Sequence, residues 1–217
     1  MKNVPYIVFL YTANNMYNVG GVVGQIYYYG HVVNCTNNGT VKGSYNVGGI
    51  VGLNYTSSTS NAGNGAIYDS KNSGKISGSS YIGGICGSNG LNTNCYMPYI
   101  ERCENSGNVT SSSSYAGGIV GRCYSNNSTS YFPKVNYCKN SGTIKGASYV
   151  GGISGSVYYN AYMSYNENTG NVTGTGSYAG GMVGYVNNGG SSYTTDMEHN
   201  INRGNITGVS YTGGICG

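Results

Sequence analysis

The sequence predicts an all-β repeat solenoid. It reads as a parallel β-helix-like coil of about six to seven rungs, with one repeat of 28–35 residues per rung. Three observations predict it. The first is a five-residue motif, Gly48-Gly49-Ile50-Val51-Gly52, with copies at Gly20–Gly24, Gly83–Gly87, Gly117–Gly121, Gly151–Gly155, Gly180–Gly184 and Gly213–Gly217. The third position is always Val, Ile or Met, and the fourth is Val, Cys or Ser. A motif returning at this interval marks stacked repeats rather than one globular core. The second observation is apolar columns spaced in twos, which is the period of strands with one buried face. The third is that no stretch of useful length has helical periodicity.

Each full repeat can be taken in order. It opens on an apolar residue: Val32, Ile67, Ile100, Val135, Met163 or Met197. Three residues on stands Cys35, Ser70, Cys103, Cys138, Asn166 or Asn200. Two further on, all six repeats have Asn: Asn37, Asn72, Asn105, Asn140, Asn168 and Asn202. Gly follows two residues later, from Gly39 to Gly204. Then comes a β-branched residue, Val41, Ile76, Val109, Ile144, Val172 or Ile206, of the kind that suits a pleated buried surface. A short polar turn leads to the Gly-Gly motif. The three apolar columns suggest about three short strands per rung. Rungs about 4.8 Å apart would give a rod of roughly 30 Å. Residues 17–217 form the repeat array. Residues 1–16 read as a cap strand or a short leader, since Met1-Lys2 before Pro5–Tyr11 has the charge order of a signal peptide.

Composition narrows the function classes. Charged residues make up 7%, and Gly (39) and Tyr (25) are abundant among the 217 residues. The formal charge of +4 comes with no dense basic run, which argues against nucleic acid as a partner. No run approaches the roughly 18 apolar residues of a transmembrane helix. Seven Cys suggest an oxidising compartment and leave an odd thiol.

Asn-x-Gly-x-(Val/Ile)-x-Gly followed by Gly-Gly-(Ile/Met)-x-Gly resembles the GLUG repeat. It reads here as Asn140-Ser141-Gly142-Thr143-Ile144-Lys145-Gly146, then Gly151-Gly152-Ile153-Ser154-Gly155. The resemblance runs over residues 17–217. It implies β-solenoid stalks of secreted or surface-attached bacterial proteins, among them adhesins and immunoglobulin A-cleaving peptidases, whose catalysis lies in separate domains. This chain departs from the pattern in its wealth of Tyr and Cys and in its long inserts.

Stacking would set equivalent residues side by side. The six Asn would form a hydrogen-bonded ladder, or else six separate Asx turns. Lys71, Glu104, Lys139 and Glu167 alternate in sign through successive repeats and read as a register lock. Tyr81, Tyr115, Tyr149, Tyr178 and Tyr211 precede the Gly pair by two residues, and Tyr17 and Tyr45 by three. They read as one stacked row, either packed or on display. Cys103 and Cys138 share a column in adjacent repeats and form a candidate disulfide. Cys95 and Cys123 are a second possible pair. Cys86 and Cys216, inside the Gly motif, read as buried thiols.

The inserts 25–31, 53–66, 88–99, 122–134, 156–162 and 185–196 should share one side of the rod. Their Tyr27, Tyr28, Tyr29, Tyr96, Tyr131, Tyr158, Tyr159 and Tyr162 form a candidate binding face, or are packed under their own loops. Sequons start at Asn34, Asn38, Asn54, Asn108, Asn126, Asn127, Asn171 and Asn205. Asn108, Asn171 and Asn205 precede a buried Val or Ile and then Thr, so they point outward as candidate glycosylation sites.

The six acidic residues assemble no catalytic group, and there is no nucleophile triad, zinc helix or phosphate loop. No cofactor is implied. A metal is not expected either, because there is no Cys-x-x-Cys and His31 and His199 lie far apart in the stack. The reading is a non-enzymatic, extracellular or cell-surface structural protein that self-associates end to end into a fibre. The alternative is an adhesin module binding glycan or a host surface protein through its Tyr-rich inserts. The repeat closing at Gly217 leaves a strand edge of the kind another rung could cover.

Overall fold

A computed structural model describes residues 16–27, 30–55, 65–90, 98–125, 132–190 and 194–217. Over these residues every helix or strand is a strand, and every strand pair is parallel. The chain is a β-solenoid, as the columns predict. Four sheets run along its length, and we call them A to D. Sheets B, C and D each hold six strands and sheet A eleven. Six stacked strands bound five complete turns, close to the expected rung number.

One turn shows the course of the chain. Val120–Tyr124 lies in sheet B, Lys134–Asn136 in sheet C and Lys139–Asn140 in sheet D. Ile144–Gly146 and Ser148–Gly151 then lie in sheet A. After the Gly151-Gly152 corner, Ser154 pairs back onto Val120 and the next turn begins. A turn therefore has five strand stretches, not the three read from the apolar columns. One of the extra divisions falls at a residue in left-handed conformation, which bends the backbone without interrupting the apolar pattern. Tyr137 (φ 55°) separates the second and third stretches. Similar residues stand at this corner in every turn: Asn34, Asp69, Arg102, Tyr165 and His199.

The core has two lobes. Ile50, Ile67, Ile85, Ile100, Ile119, Ile153, Met163 and Met182 fill the larger one between sheets B and C. Val41, Val47, Ile76, Ile82, Val109, Ile144, Val150 and Val172 fill the smaller one inside the bend of sheet A. Nearly all are fully excluded from solvent, and each such side chain contributes about 1.5–3 kcal/mol by burial.

The lobes meet at a waist made of the Gly pair on one side and the Asn column on the other. A Cβ on Gly118 would sit 2.1 Å from the carbonyl oxygen of Gly152 and 2.3 Å from Cγ of Asn140. Only Gly lets the two backbones close to this distance, which is why the Gly pair returns in every copy of the motif.

Every insert connects a sheet B strand to a sheet C strand. They are shorter than the sequence reading gave. Tyr27 and Tyr158 belong to sheet B strands Val23–Tyr27 and Ser154–Tyr158, and Tyr162 to sheet C strand Ala161–Ser164. Aromatic residues suit a strand as well as a loop, and the Gly and Asn around them obscured this. Tyr28, Tyr29, Tyr96, Tyr131 and Cys95 lie outside the described residues, as does the expected cap or leader apart from Met16.

Candidate interaction face

The six Asn stand in one register through sheet D: Asn37, Asn72, Asn105, Asn140, Asn168 and Asn202. Each Nδ2 donates to Oδ1 of the next Asn, at 2.7 Å for the first link and 2.8 Å for the other four. Each also donates to the carbonyl of the Gly two residues on, at 2.8–3.1 Å. One amide thus closes the local turn and bonds the next rung, so the two readings of this column describe one arrangement. The ladder has a direction, because every donor points towards the C-terminal rung. A second, shorter ladder joins Asn54 Nδ2 to Asn89 Oδ1 at 2.9 Å in sheet B, and both side chains are fully buried. Sequence reasoning missed it, because Asn54 and Asn89 look like insert residues. Full burial also removes Asn54 as a glycan acceptor.

The charged column is in register, Lys71 to Glu104 to Lys139 to Glu167. Lys71 pairs with Glu104 at 3.0 Å, and Glu167 with Lys139 at 4.0 Å and Arg203 at 3.1 Å. These exposed pairs are worth about 0.2–1 kcal/mol each and weaken with salt. Lys71, Glu104, Lys139 and Glu167, with Ser73, Ser106, Ser141 and Thr169, wall an open groove of about 480 Å³ over the Asn ladder.

The Tyr row is the most developed surface feature. Tyr81, Tyr115, Tyr149, Tyr178 and Tyr211 stack ring on ring at 4.7–5.3 Å, with planes within 29° of parallel. All five have φ between 49° and 66°. An L-residue held there costs about 1–2 kcal/mol. A stacked aromatic pair returns about 0.5–1.5 kcal/mol beyond its area burial, so the stack offsets the strain.

Tyr17 and Tyr45 do not join this row. They stack on each other at 5.2 Å, and the register pairs Tyr45 with Ser80. The left-handed position in those two turns is held by Asn18 and Asn46. Replacing Tyr149 tests the balance. Tyr149→Asn is expected to lose only the stacking. Tyr149→Ile, β-branched at positive φ, should lose about 1–2 kcal/mol more, read as the shift of a urea midpoint.

The stacking also decides what the row can bind. Sugar rings pack on aromatic faces, but here each inner face is covered by the next Tyr. At Tyr81 the Arg122 guanidinium covers the ring 4.1 Å from its centroid. The row presents edges and hydroxyls. Tyr124, Tyr158 and Tyr185 pack beside it, with the Tyr115 and Tyr158 hydroxyls 3.2 Å apart. Of the other Tyr assigned to the binding face, Tyr27 is half exposed and tilted against Tyr55, and Tyr159 (φ 65°) meets Tyr124 edge-on.

A separate mosaic covers sheet C. Lys134 sits 5.3 Å from both the Tyr99 and Tyr162 rings, and Phe132 packs 4.8 Å from Tyr162. Along its edge Tyr137, Tyr165 and His199 stack at 4.7–5.0 Å. Arg102 forks onto Asp69 at 2.8 and 3.1 Å and holds its carboxyl below the ordinary value.

Cys103 and Cys138 share a column on adjacent rungs, but the structure holds both as free, buried thiols. Burial first, and then the neighbouring Cys103 thiol, push the Cys138 thiol well above its ordinary value. The Sγ atoms of Cys103 and Cys138 donate to the Glu101 and Asn136 carbonyls at 3.4 and 3.2 Å.

Cys123 is likewise buried, and burial pushes its thiol up to about 12 from an ordinary 9.0. A proton held more tightly in the folded state stabilises it fully below pH 9, and that contribution is lost as pH rises towards 12. Cys123 is therefore expected to resist alkylation at pH 9 in the native protein and to react fully in denaturant. Mass mapping of labelled peptides checks this.

Asn108, Asn171 and Asn205 are exposed. Oδ1 of Asn108 accepts from Thr143 N, and that of Asn171 from Asn205 N, both at 3.1 Å. Glycan attachment at the amide nitrogen would leave those bonds in place. No group of three or more His, Cys, Asp or Glu side chains converges among the described residues. No helix among them is long and apolar enough to cross a membrane, which says nothing of strands.

Fold and columns define a parallel β-solenoid whose rungs are tied by side-chain ladders. Residues 17–42 match the family model described as the GLUG motif. A crystal structure described as a "putative immunoglobulin A1 protease" from Bacteroides ovatus shares the fold, with a TM-score of 0.62 at 21% identity. The match covers 83% of this chain and 52% of that one, so the chain spans about half the length of its neighbour. No curated protein matches.

Proposed function

We propose that this chain is a non-enzymatic structural rod of a secreted or cell-surface protein, lengthened by adding rung upon rung into a fibre or appendage. The observation that carries the reading is the direction of the Asn ladder. From Asn37 to Asn202 every rung hands the same amide bond to the next, always in the C-terminal direction. The apolar column of Ile50, Ile85, Ile119 and Ile153 is fully buried by the same stacking. A bond pattern that repeats identically from rung to rung extends in one polarity to any further rung stacked on it, whether from more of the same chain or from a second copy. The GLUG match and the solenoid neighbour support an extracellular setting.

The sheet C mosaic favours a second reading, an adhesin face for glycan or a host protein, because Tyr137, Tyr162 and Tyr165 are 37–51% exposed there. Sedimentation across a dilution series separates the two. The rod reading expects concentration-dependent growth that survives shortening of the connections between sheets B and C. A species that stays monomeric at every concentration, and loses surface binding when those connections are shortened, would establish the adhesin instead.

A further inference from the structure

The Tyr115–Tyr158 contact differs in kind from the stacks around it. The two residues come from successive turns and from different sheets, Tyr115 from sheet A and Tyr158 from sheet B. Their rings meet tip to tip, with the hydroxyl oxygens 3.2 Å apart. Burial first, and then the bond to Tyr115, hold the Tyr158 phenol above its ordinary value. It is protonated at neutral pH, so the contact is a hydrogen bond between two phenols. In an ortho–ortho biphenol, the new carbon–carbon bond joins the ring carbons next to the two oxygens, which then lie side by side. The observed pair already has its oxygens in that relation. The stacked rings lead to it from the surface. Tyr211, 66% exposed, contacts Tyr178 at 4.7 Å, Tyr178 contacts Tyr149 at 5.3 Å, and Tyr149 contacts Tyr115 at 4.7 Å.

We infer that Tyr115 and Tyr158 form an oxidative modification site, coupling into a dityrosine that covalently ties two turns of the rod. The oxidant is a peroxide acting through a haem peroxidase. Each phenol loses one electron and one proton, and the two radicals join through the carbons ortho to oxygen. Each of those carbons then gives its hydrogen to its own ring's oxygen, by way of solvent, restoring both phenols. One peroxide takes the two electrons and two protons and leaves as two waters. Stacked pairs such as Tyr149 and Tyr178 are held face to face and must unstack to couple, so the tip-to-tip pair reacts first.

The full chain is treated with hydrogen peroxide and horseradish peroxidase at low protein concentration, then digested and mapped by mass spectrometry. The expected product is a cross-linked peptide containing Tyr115 and Tyr158, two hydrogens lighter than the sum of its parts, formed within monomers. Tyr158→Phe, shown folded by circular dichroism, should lose that peptide and most of the dityrosine fluorescence. Tyr115→Phe should do the same. Undiminished dityrosine in either folded variant would overturn the assignment. So would a wild-type map whose cross-links fall on other tyrosines or only between molecules.

Discussion

Gly118→Ala is expected to destabilise the rod by about 3 kcal/mol, although it adds a single methyl group. The new Cβ would lie 2.1 Å from Gly152 O and 2.3 Å from Asn140 Cγ. Neither neighbour can retreat. The carbonyl belongs to the next turn's corner, and Asn140 is fixed by bonds to Asn105, Asn168 and Gly142. The methyl must open the waist between the two core lobes, and with it the register of the turns on either side. Gly190→Ala is the matched control, since nothing lies within 4 Å of its added Cβ. That change should stay within about 0.5 kcal/mol. Urea midpoints of the two variants against the parent measure the difference. Equal midpoints would mean that the waist is not closed as described.

Asn105→Ala is expected to cost about 3 kcal/mol or more by a different route. It fills no space and clashes with nothing. It removes the acceptor for Asn72 Nδ2, the donor to Asn140 Oδ1 and the donor to Gly107 O. The residue is 2% exposed, so water does not readily replace these partners. Each buried polar group left unpaired costs about 1–3 kcal/mol. The loss should spread along the axis, because every rung depends on its neighbours. Amide exchange should then quicken at Asn72 and Asn140 as well as at residue 105. Ser106→Ala, one residue away and exposed, should leave both stability and exchange close to the parent.

These two residues also show how much the sequence made legible. The Asn column recurs at a fixed offset and the charged column alternates in sign at the position before it, and the strand register places both as the offsets imply. The left-handed corner before Cys35, Ser70 and Cys103 was not legible. Its occupants are Asn34, Asp69, Arg102, Tyr137, Tyr165 and His199, which share a backbone conformation and no side-chain type. The Tyr row was half legible. Tyr17 and Tyr45 look like members shifted by one residue, but in a strand a one-residue shift moves a side chain to another face, and Asn18 and Asn46 hold their place. Asn54 and Asn89 were hidden because Asn in a Ser/Tyr/Gly-rich stretch reads as loop. Only the strand pairing across turns shows them facing each other. The inserts were drawn too long, since Tyr-rich strand ends such as Tyr27 and Tyr158 have the same composition as the connections that follow them.

The measurement that tests the central claim most directly is negative-stain electron microscopy of the purified chain at several concentrations. Rods of uniform width that lengthen with concentration are the predicted result, because each rung face offers a directional ladder and an apolar column to the next. Short particles of one length at every concentration would contradict rung-on-rung growth and leave the solenoid as a scaffold for its surface.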